Sequence, residues 1–192
     1  MVEAGFSYRD SRNNLVAATQ WRYCVKGDGT VTLDIDCQFS ESLPPLPRIG
    51  VQLSIANEQL AEVRWFGRGP FENYPDRKSA ARFGEYCAGP EMLHTPYIYP
   101  SENGLRCDTR VLDVAGLRVE GDFHFSLSPY SDEVLTKAQH TNALVSDGHA
   151  YLHIDAAHMG VGGDDSWSPS VHPEFLIKHK RFNYRLMFRF QH

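Results

Sequence analysis

Alternation of apolar and polar residues is the dominant pattern along this chain. Apolar side chains occupy every second position across Val31–Phe39, and the same period of two returns at 182–190. This period is typical of a strand with one buried and one solvated face. A Gly-Asp-Gly turn at 27–29 joins the first of these strands to a β-rich run at 18–26, which predicts a hairpin.

Further strands are predicted between these two, separated by turn formers. The candidate ranges are 48–56, 60–66, 105–112, 118–127, 150–156 and 174–178. One short helix is predicted at 131–138, because Ser131 is a suitable N-cap and acidic residues follow it. The predicted fold class is therefore all-β, an antiparallel sandwich of two sheets with long loops.

The composition argues against two classes of partner. The chain has 192 residues and a net charge of −5, and its 19 Lys and Arg residues are scattered along it. A surface that follows a phosphate backbone needs clustered cations, so we expect no nucleic-acid partner. Because no apolar run approaches membrane-spanning length and no secretory signal opens the chain, we expect no membrane partner either.

The cysteines give a weaker indication of location. Cys24, Cys37, Cys87 and Cys107 are far apart and form no CxxC pair. This spacing excludes a zinc ribbon or a thioredoxin-type motif. We therefore expect reduced thiols and a cytoplasmic protein.

The sequence GGDDSWSP at 162–169 is the main candidate for a binding loop. It is too rich in turn formers for a helix or strand, so Trp167 is predicted to lie on a loop. An exposed indole can stack on the CH-rich face of a sugar, and its N–H is a hydrogen-bond donor. The alternative is that Trp167 folds back as a hydrophobic plug.

Two other loops carry polar and aromatic groups. In the first, Glu72 is a candidate acid, whereas Asp76 and Arg77 are expected to form local hydrogen bonds within a turn. In the second, Glu102 and Asn103 could bind sugar hydroxyls or satisfy backbone groups of their own loop. The residues leave both interpretations open.

A metal site is not predicted. His149 and His153 would share one face of a strand but lie too far apart for a common tetrahedral site, and His158 is expected beyond the strand end. Asp164 and Asp165 lack the regularly spaced oxygen ligands of a calcium loop.

A catalytic pair is not apparent either. A glycosidase needs two facing carboxyl groups, and nothing in the spacing of the loop carboxylates selects a pair. These carboxylates are Glu72, Asp76, Glu102, Asp164 and Asp165. The nucleophile-elbow, P-loop and dinucleotide motifs are also absent from the sequence. The residues alone indicate a β-sandwich with a candidate carbohydrate-binding loop.

Four stretches resemble the C-terminal domain of the large bacterial β-galactosidases of glycoside hydrolase family two. They are GRGPFENYPDR at 67–77, TPYIYPSENGLRC at 95–107, GDFHFSLSPYS at 121–131 and HMGVGGDDSWSPSV at 158–171. Weaker similarity extends from about Asn14 to the end. The resemblance assigns 14–192 to this domain and leaves 1–13 as an irregular segment or an artificial start of the chain.

The resemblance implies a galactose-mutarotase-like antiparallel supersandwich that is incomplete on its N-terminal side. It also implies that the catalytic glutamates and the magnesium and sodium sites belong to other domains, so this chain should hold no catalytic residue and no cofactor. Trp167 would stack on the non-galactose part of the substrate. The supporting residues of its loop would be Gly162, Gly163, Asp164, Asp165 and Ser166.

The function implied by the resemblance is that of one part of a β-galactosidase. The whole enzyme would be a homo-oligomer that hydrolyses lactose and other terminal β-galactosides by a retaining mechanism. This chain would be inactive without the remaining domains or a large chain. The alternatives are a separate carbohydrate-binding module, a mutarotase-like epimerase that uses a His and a Glu, and a structural domain for subunit assembly.

Overall fold

The computed structural model describes residues 1–164 and 170–190, and this part of the chain is almost wholly antiparallel β-structure. Its ten strands are β1 (Val2–Arg9), β2 (Leu15–Val25), β3 (Val31–Phe39), β4 (Arg48–Ala56), β5 (Val63–Gly69), β6 (Arg82–Ala88), β7 (Arg106–Val114), β8 (Leu117–Ser128), β9 (His149–His158) and β10 (Arg181–Phe190). The predicted all-β antiparallel fold class is confirmed.

Short helical segments connect some of the strands. The α-helix α1 (Asp132–Lys137) follows β8. The 3₁₀ turns lie at Asn57–Gln59, Pro90–Leu93, Thr141–Ala143 and Pro173–Phe175. The predicted helix and its cap are confirmed, because the Ser131 hydroxyl accepts the Val134 N–H at 3.3 Å.

Hydrogen bonds connect the strands in the order β1-β2-β3-β10-β8-β7-β5-β6, and β4 and β9 form a branch from β8. The branch arises because the long strand β8 changes neighbours along its length. Its first half, up to Gly121, pairs with β10, and its second half, from His124, pairs with β9. Both branches therefore depend on β8.

One hydrophobic core joins the two branches. Leu33 and Ile35 of β3 and Leu186 of β10 belong to the same buried cluster as Leu152 and Ile154 of β9. Along β3 the buried positions alternate with half-buried polar ones, as the period of two predicts.

Two expectations from the sequence are wrong. The segment 1–13 is not irregular, because β1 occupies most of it and pairs antiparallel with β2. The range 174–178 is not a strand: Pro173–Phe175 form a 3₁₀ turn, and Ile177 makes an isolated bridge with Leu46. Pro173 favours the turn because its ring fixes φ at a helical value and it has no N–H for a strand ladder.

Candidate functional site

The loop motifs of the sequence contact one another in the structure. The first loop follows β5, the second precedes β7, and the third follows β9. The strands β5, β7, β8 and β9 are hydrogen-bonded to one another in that order. The three loops are therefore attached to neighbouring strands. Three carboxylates, those of Glu72, Asp76 and Glu102, hold the loops to one another.

Asp76 links the first loop to the third. Its Oδ2 atom accepts the Gly162 N–H at 2.8 Å. Gly160 also lies against this carboxylate: a Cβ there would be 2.4 Å from Oδ2, so the close approach requires glycine. Gly162 has φ +70°, and a Cβ at this position would be 2.4 Å from the Ser170 carbonyl oxygen.

A shallow cleft of about 390 Å³ lies beside this contact, lined in part by Asp76, Gly163, Asp164, His172 and Phe175. His172 Nε2 forms a short hydrogen bond with Asp164 Oδ2 across the base of the loop. This hydrogen bond, together with the negative charge of Asp164, raises the pKa of His172. The two ends of the loop are thereby connected.

The structure tests only part of the predicted binding loop. Residues 162–164 line the cleft as described above. Asp165, Ser166 and Trp167 lie outside the described residues. The predicted stacking role of Trp167 therefore stays a prediction.

Glu72 links the first loop to the second. Its carboxylate accepts the Gly104 N–H at 2.8 Å and a short hydrogen bond from the Tyr97 hydroxyl. A carboxylate bound in this way fixes two backbone segments. The arrangement supports a structural role for Glu72 over the candidate role as an acid.

Glu102 lies at the solvent-exposed edge of a polar cluster whose other members are buried or half-buried. It accepts hydrogen bonds from Arg48 Nη1 at 3.1 Å and from the Tyr74 hydroxyl at 3.4 Å, and its Oε1 lies 3.6 Å from His158 Nε2. Burial disfavours its charged form, but the close contact with His158 and the charge of Arg48 outweigh burial and lower the pKa of Glu102.

Arg48 is held from the other side by Asp155. Its Nη2 atom is 2.6 Å from the Asp155 carboxylate, which is almost fully buried. For Asp155 burial prevails over the charge of Arg48, and its pKa is raised. The pair extends the cluster from β4 to β9.

Asn103 resolves the alternative that the sequence left open for this loop. Its Oδ1 accepts the Thr95 N–H at 2.9 Å, and its Nδ2 donates to the Ser101 carbonyl at 2.9 Å. The side chain is buried and satisfies backbone groups of its own loop. The four described loop carboxylates, those of Glu72, Asp76, Glu102 and Asp164, and this amide thus all accept or donate hydrogen bonds within the protein.

The three histidines on β9 have separate surroundings. His153 Nε2 lies 3.1 Å from Asp132 Oδ1, His149 is exposed, and His158 is the last residue of β9 instead of lying beyond it. Among residues 1–164 and 170–190, no three His, Cys, Asp or Glu side chains are grouped to hold a metal ion.

Arg106 holds loop backbone near the site, and the sequence analysis did not identify it. It is 3 % exposed, and its guanidinium donates to the carbonyl oxygens of Leu93 (2.8 Å), Gly104 (2.7 Å), Met92 (3.2 Å) and Pro70 (3.3 Å). Burial lowers the pKa of Arg106 to about 10. The only signal in the sequence was a charged residue at the inward-facing start of a strand.

Comparison with known proteins identifies the family of this chain. The family model described as "Beta galactosidase small chain" matches residues 2–189. The chain belongs to the β-galactosidase small-chain family. The matched range includes β1, in agreement with its regular strand pairing.

Relatives of this small-chain domain include several bacterial β-galactosidases. That of Vibrio cholerae is 56 % identical over 177 residues, which are 91 % of this chain and 17 % of that protein. The enzyme of Pseudoalteromonas haloplanktis is 52 % identical over 172 residues, 90 % of this chain and 17 % of that protein. For Vibrio vulnificus strain YJ016 the identity is 46 % over 190 residues, 98 % of this chain and 18 % of that protein.

The small-chain domain thus spans about a sixth of the length of the relatives it matches. It is one portion of a larger protein in those relatives. In the part of this chain that the structure describes, no helix is long and apolar enough to cross a membrane.

Proposed function

We propose that this chain is the C-terminal domain of a β-galactosidase that hydrolyses lactose and other terminal β-D-galactosides. Membership of the small-chain family and the share of each relative that the chain covers support the proposal. The role in the substrate pocket is proposed from one observation. The first residues of the loop after β9 are anchored, because Asp76 accepts the Gly162 N–H beside a cleft.

The domain's role is to complete the side of the substrate pocket that binds the aglycone or the acceptor. A retaining glycosidase uses two carboxyl groups about 5 Å apart and a covalent glycosyl-enzyme. In our proposal those groups, and the magnesium and sodium sites, belong to the remaining domains. Trp167 supplies an indole face on which the non-galactose part of the substrate stacks.

The proposal also covers the setting of the enzyme. The partners of this chain are the remaining domains or a large chain, and the whole enzyme is a cytoplasmic homo-oligomer. Scattered cations and a net charge of −5 are compatible with a neutral sugar substrate.

Trp167→Ala in the full enzyme tests the role of this chain. Loss of one stacking contact of about 1.4 kcal/mol corresponds to roughly tenfold weaker binding. We expect acceptor and aglycone binding to weaken by this factor, while the rate of galactosyl-enzyme formation from an activated aryl galactoside is retained. Steady-state kinetics with and without a glucose acceptor measure both quantities.

A second tryptophan provides the control. Trp21 lies half-buried on β2, and Trp21→Phe keeps an aromatic ring there. We expect no change in acceptor affinity from this variant. Unchanged acceptor affinity in Trp167→Ala would refute the stacking role.

A further inference from the structure

An aromatic side chain on a loop binds a ligand more strongly if the loop is held in one position. In this domain the side chain of Asp76 holds such a loop through a hydrogen bond to Gly162, 86 positions further along the chain. We propose that Asp76 is a positioning residue for the β-galactosidase reaction, which fixes the stem of the loop that carries Trp167. This inference rests on the proposed function and adds a residue to which the family resemblance assigned no such role.

Asp76 is itself held on a rigid base. It lies in a turn closed by the Arg77 N–H and the Tyr74 carbonyl at 2.8 Å. The Tyr74 side chain is 2 % exposed and contacts the His158 ring edge-to-face with centroids 5.4 Å apart. Its hydroxyl donates to Glu102. The carboxylate of Asp76 therefore projects from a turn that is packed into the polar cluster around Glu102.

The stem that receives this carboxylate is fixed at several points. Besides the Gly162 contact, the Gly160 N–H donates to the Phe175 carbonyl at 2.9 Å, and the Met159 N–H donates to Pro47 O at 2.9 Å. The hydrogen bond between His172 and Asp164 connects the two ends of the loop. The described residues before Asp165 and after Pro169 are thus anchored to the rest of the domain.

The two oxygens of the Asp76 carboxylate differ, and only Oδ2 has a hydrogen-bond partner among the described residues. Oδ1 of Asp76 is removed from solvent, and no hydrogen-bond partner for it is present among the described residues. Removing a carboxylate oxygen from water without a partner costs stability. The Gly162 N–H is thus the hydrogen-bond donor that the described residues give this carboxylate.

The experiment uses full-length β-galactosidase that contains this domain. Asp76→Ala removes the acceptor for the Gly162 N–H, and Asp76→Asn retains one oxygen that can accept it. We expect Asp76→Ala to weaken acceptor binding by up to about tenfold, as Trp167→Ala does, with galactosyl-enzyme formation retained. Asp76→Asn should recover most of the affinity.

A double variant separates positioning from a general structural effect. If Asp76 acts through Trp167, Asp76→Ala in the Trp167→Ala background should change acceptor affinity less than about twofold, because coupled residues are not additive. Full additivity of the two losses would overturn the inference. Unchanged acceptor affinity in Asp76→Ala, when Trp167→Ala lowers it, would also overturn it and leave the proposed function standing.

Two more variants keep the test decisive if Asp76→Ala folds poorly. Gly162→Ala strains the same contact from the other side, since φ is +70° and the new Cβ would meet Ser170 O, and it should reproduce the loss of acceptor affinity. Asp28→Ala is the matched control: Asp28 also accepts a backbone N–H, that of Thr30 at 2.9 Å, but in the β2–β3 turn. It should leave acceptor affinity unchanged. If Trp167→Ala has no effect, the proposed stacking role of Trp167 fails and this inference fails with it.

Discussion

At the scale of single residues, carboxylates hold the loops of this domain. Asp76 accepts the Gly162 N–H, and Glu72 accepts the Gly104 N–H. Charge-assisted hydrogen bonds of this kind are stronger than neutral ones. The hydrogen bonds of Asp76 and Glu72 account for these two acidic residues through the geometry of the loops.

His124 provides a test of how burial sets a charge state. Its Nδ1 accepts the Asp108 N–H at 3.0 Å, and burial lowers its pKa to about 4. Because the unfolded chain has the ordinary value of about 6.5, the unfolded state binds more protons between these values. The contribution of neutral His124 to stability is present above pH 6.5 and is lost as the pH falls toward 4.

We expect His124 to account for a loss of about 2 kcal/mol in unfolding free energy between pH 7 and pH 5. His124→Gln keeps an acceptor for the Asp108 N–H but does not titrate, so its stability should fall less over this range. Urea unfolding of this chain and of the variant at the two pH values measures the difference. Identical pH dependence in both would contradict the assignment.

At the scale of elements, the sequence predicts strands where one face is buried. The strand β3 was predicted correctly because its buried and polar positions alternate, whereas β1 was missed because most of its side chains are exposed. The strand β6 was missed for a similar reason, as its exposed and half-buried residues show no apolar stripe. Exposed strands are defined by their pairing partners, and a single sequence does not show these.

The candidate site follows the same logic. Its loops could be located from their turn formers and aromatic residues, but the contacts between them could not be derived from spacing. Asp76 and Gly162 are 86 positions apart, and Glu72 and Gly104 are 32 apart. Only the fold brings such groups together.

Arg106 tests whether the loops depend on a buried element of the fold. Arg106→Met would leave the carbonyls of Leu93 and Gly104 without their donors, and a buried acceptor without a partner costs about 1–3 kcal/mol. We expect a loss of about 3 kcal/mol in the unfolding free energy, measured by chemical denaturation.

Arg185→Met is the control for a general effect of losing an arginine. Arg185 pairs with Asp34 on an exposed face of the sheet, so its removal should change stability by less than about 1 kcal/mol. If Arg106→Met were no more destabilising than Arg185→Met, the anchoring role of Arg106 would be wrong.

At the scale of the whole molecule, the domain corresponds to one portion of its larger relatives. It matches about a sixth of each relative, and the described loop carboxylates are occupied by protein groups. Both facts support a domain that shapes a pocket whose acid and nucleophile lie elsewhere. A separate sugar-binding module would instead bind sugar without the remaining domains.

The most direct measurement is hydrolysis of a chromogenic β-galactoside by this chain alone, by a β-galactosidase truncated just before the matching region, and by the two mixed. We predict no hydrolysis by the chain alone and activity in the mixture. Hydrolysis by the chain alone would contradict the central claim, because the catalytic carboxylates would then lie within it, with Glu72 and Glu102 the first to substitute.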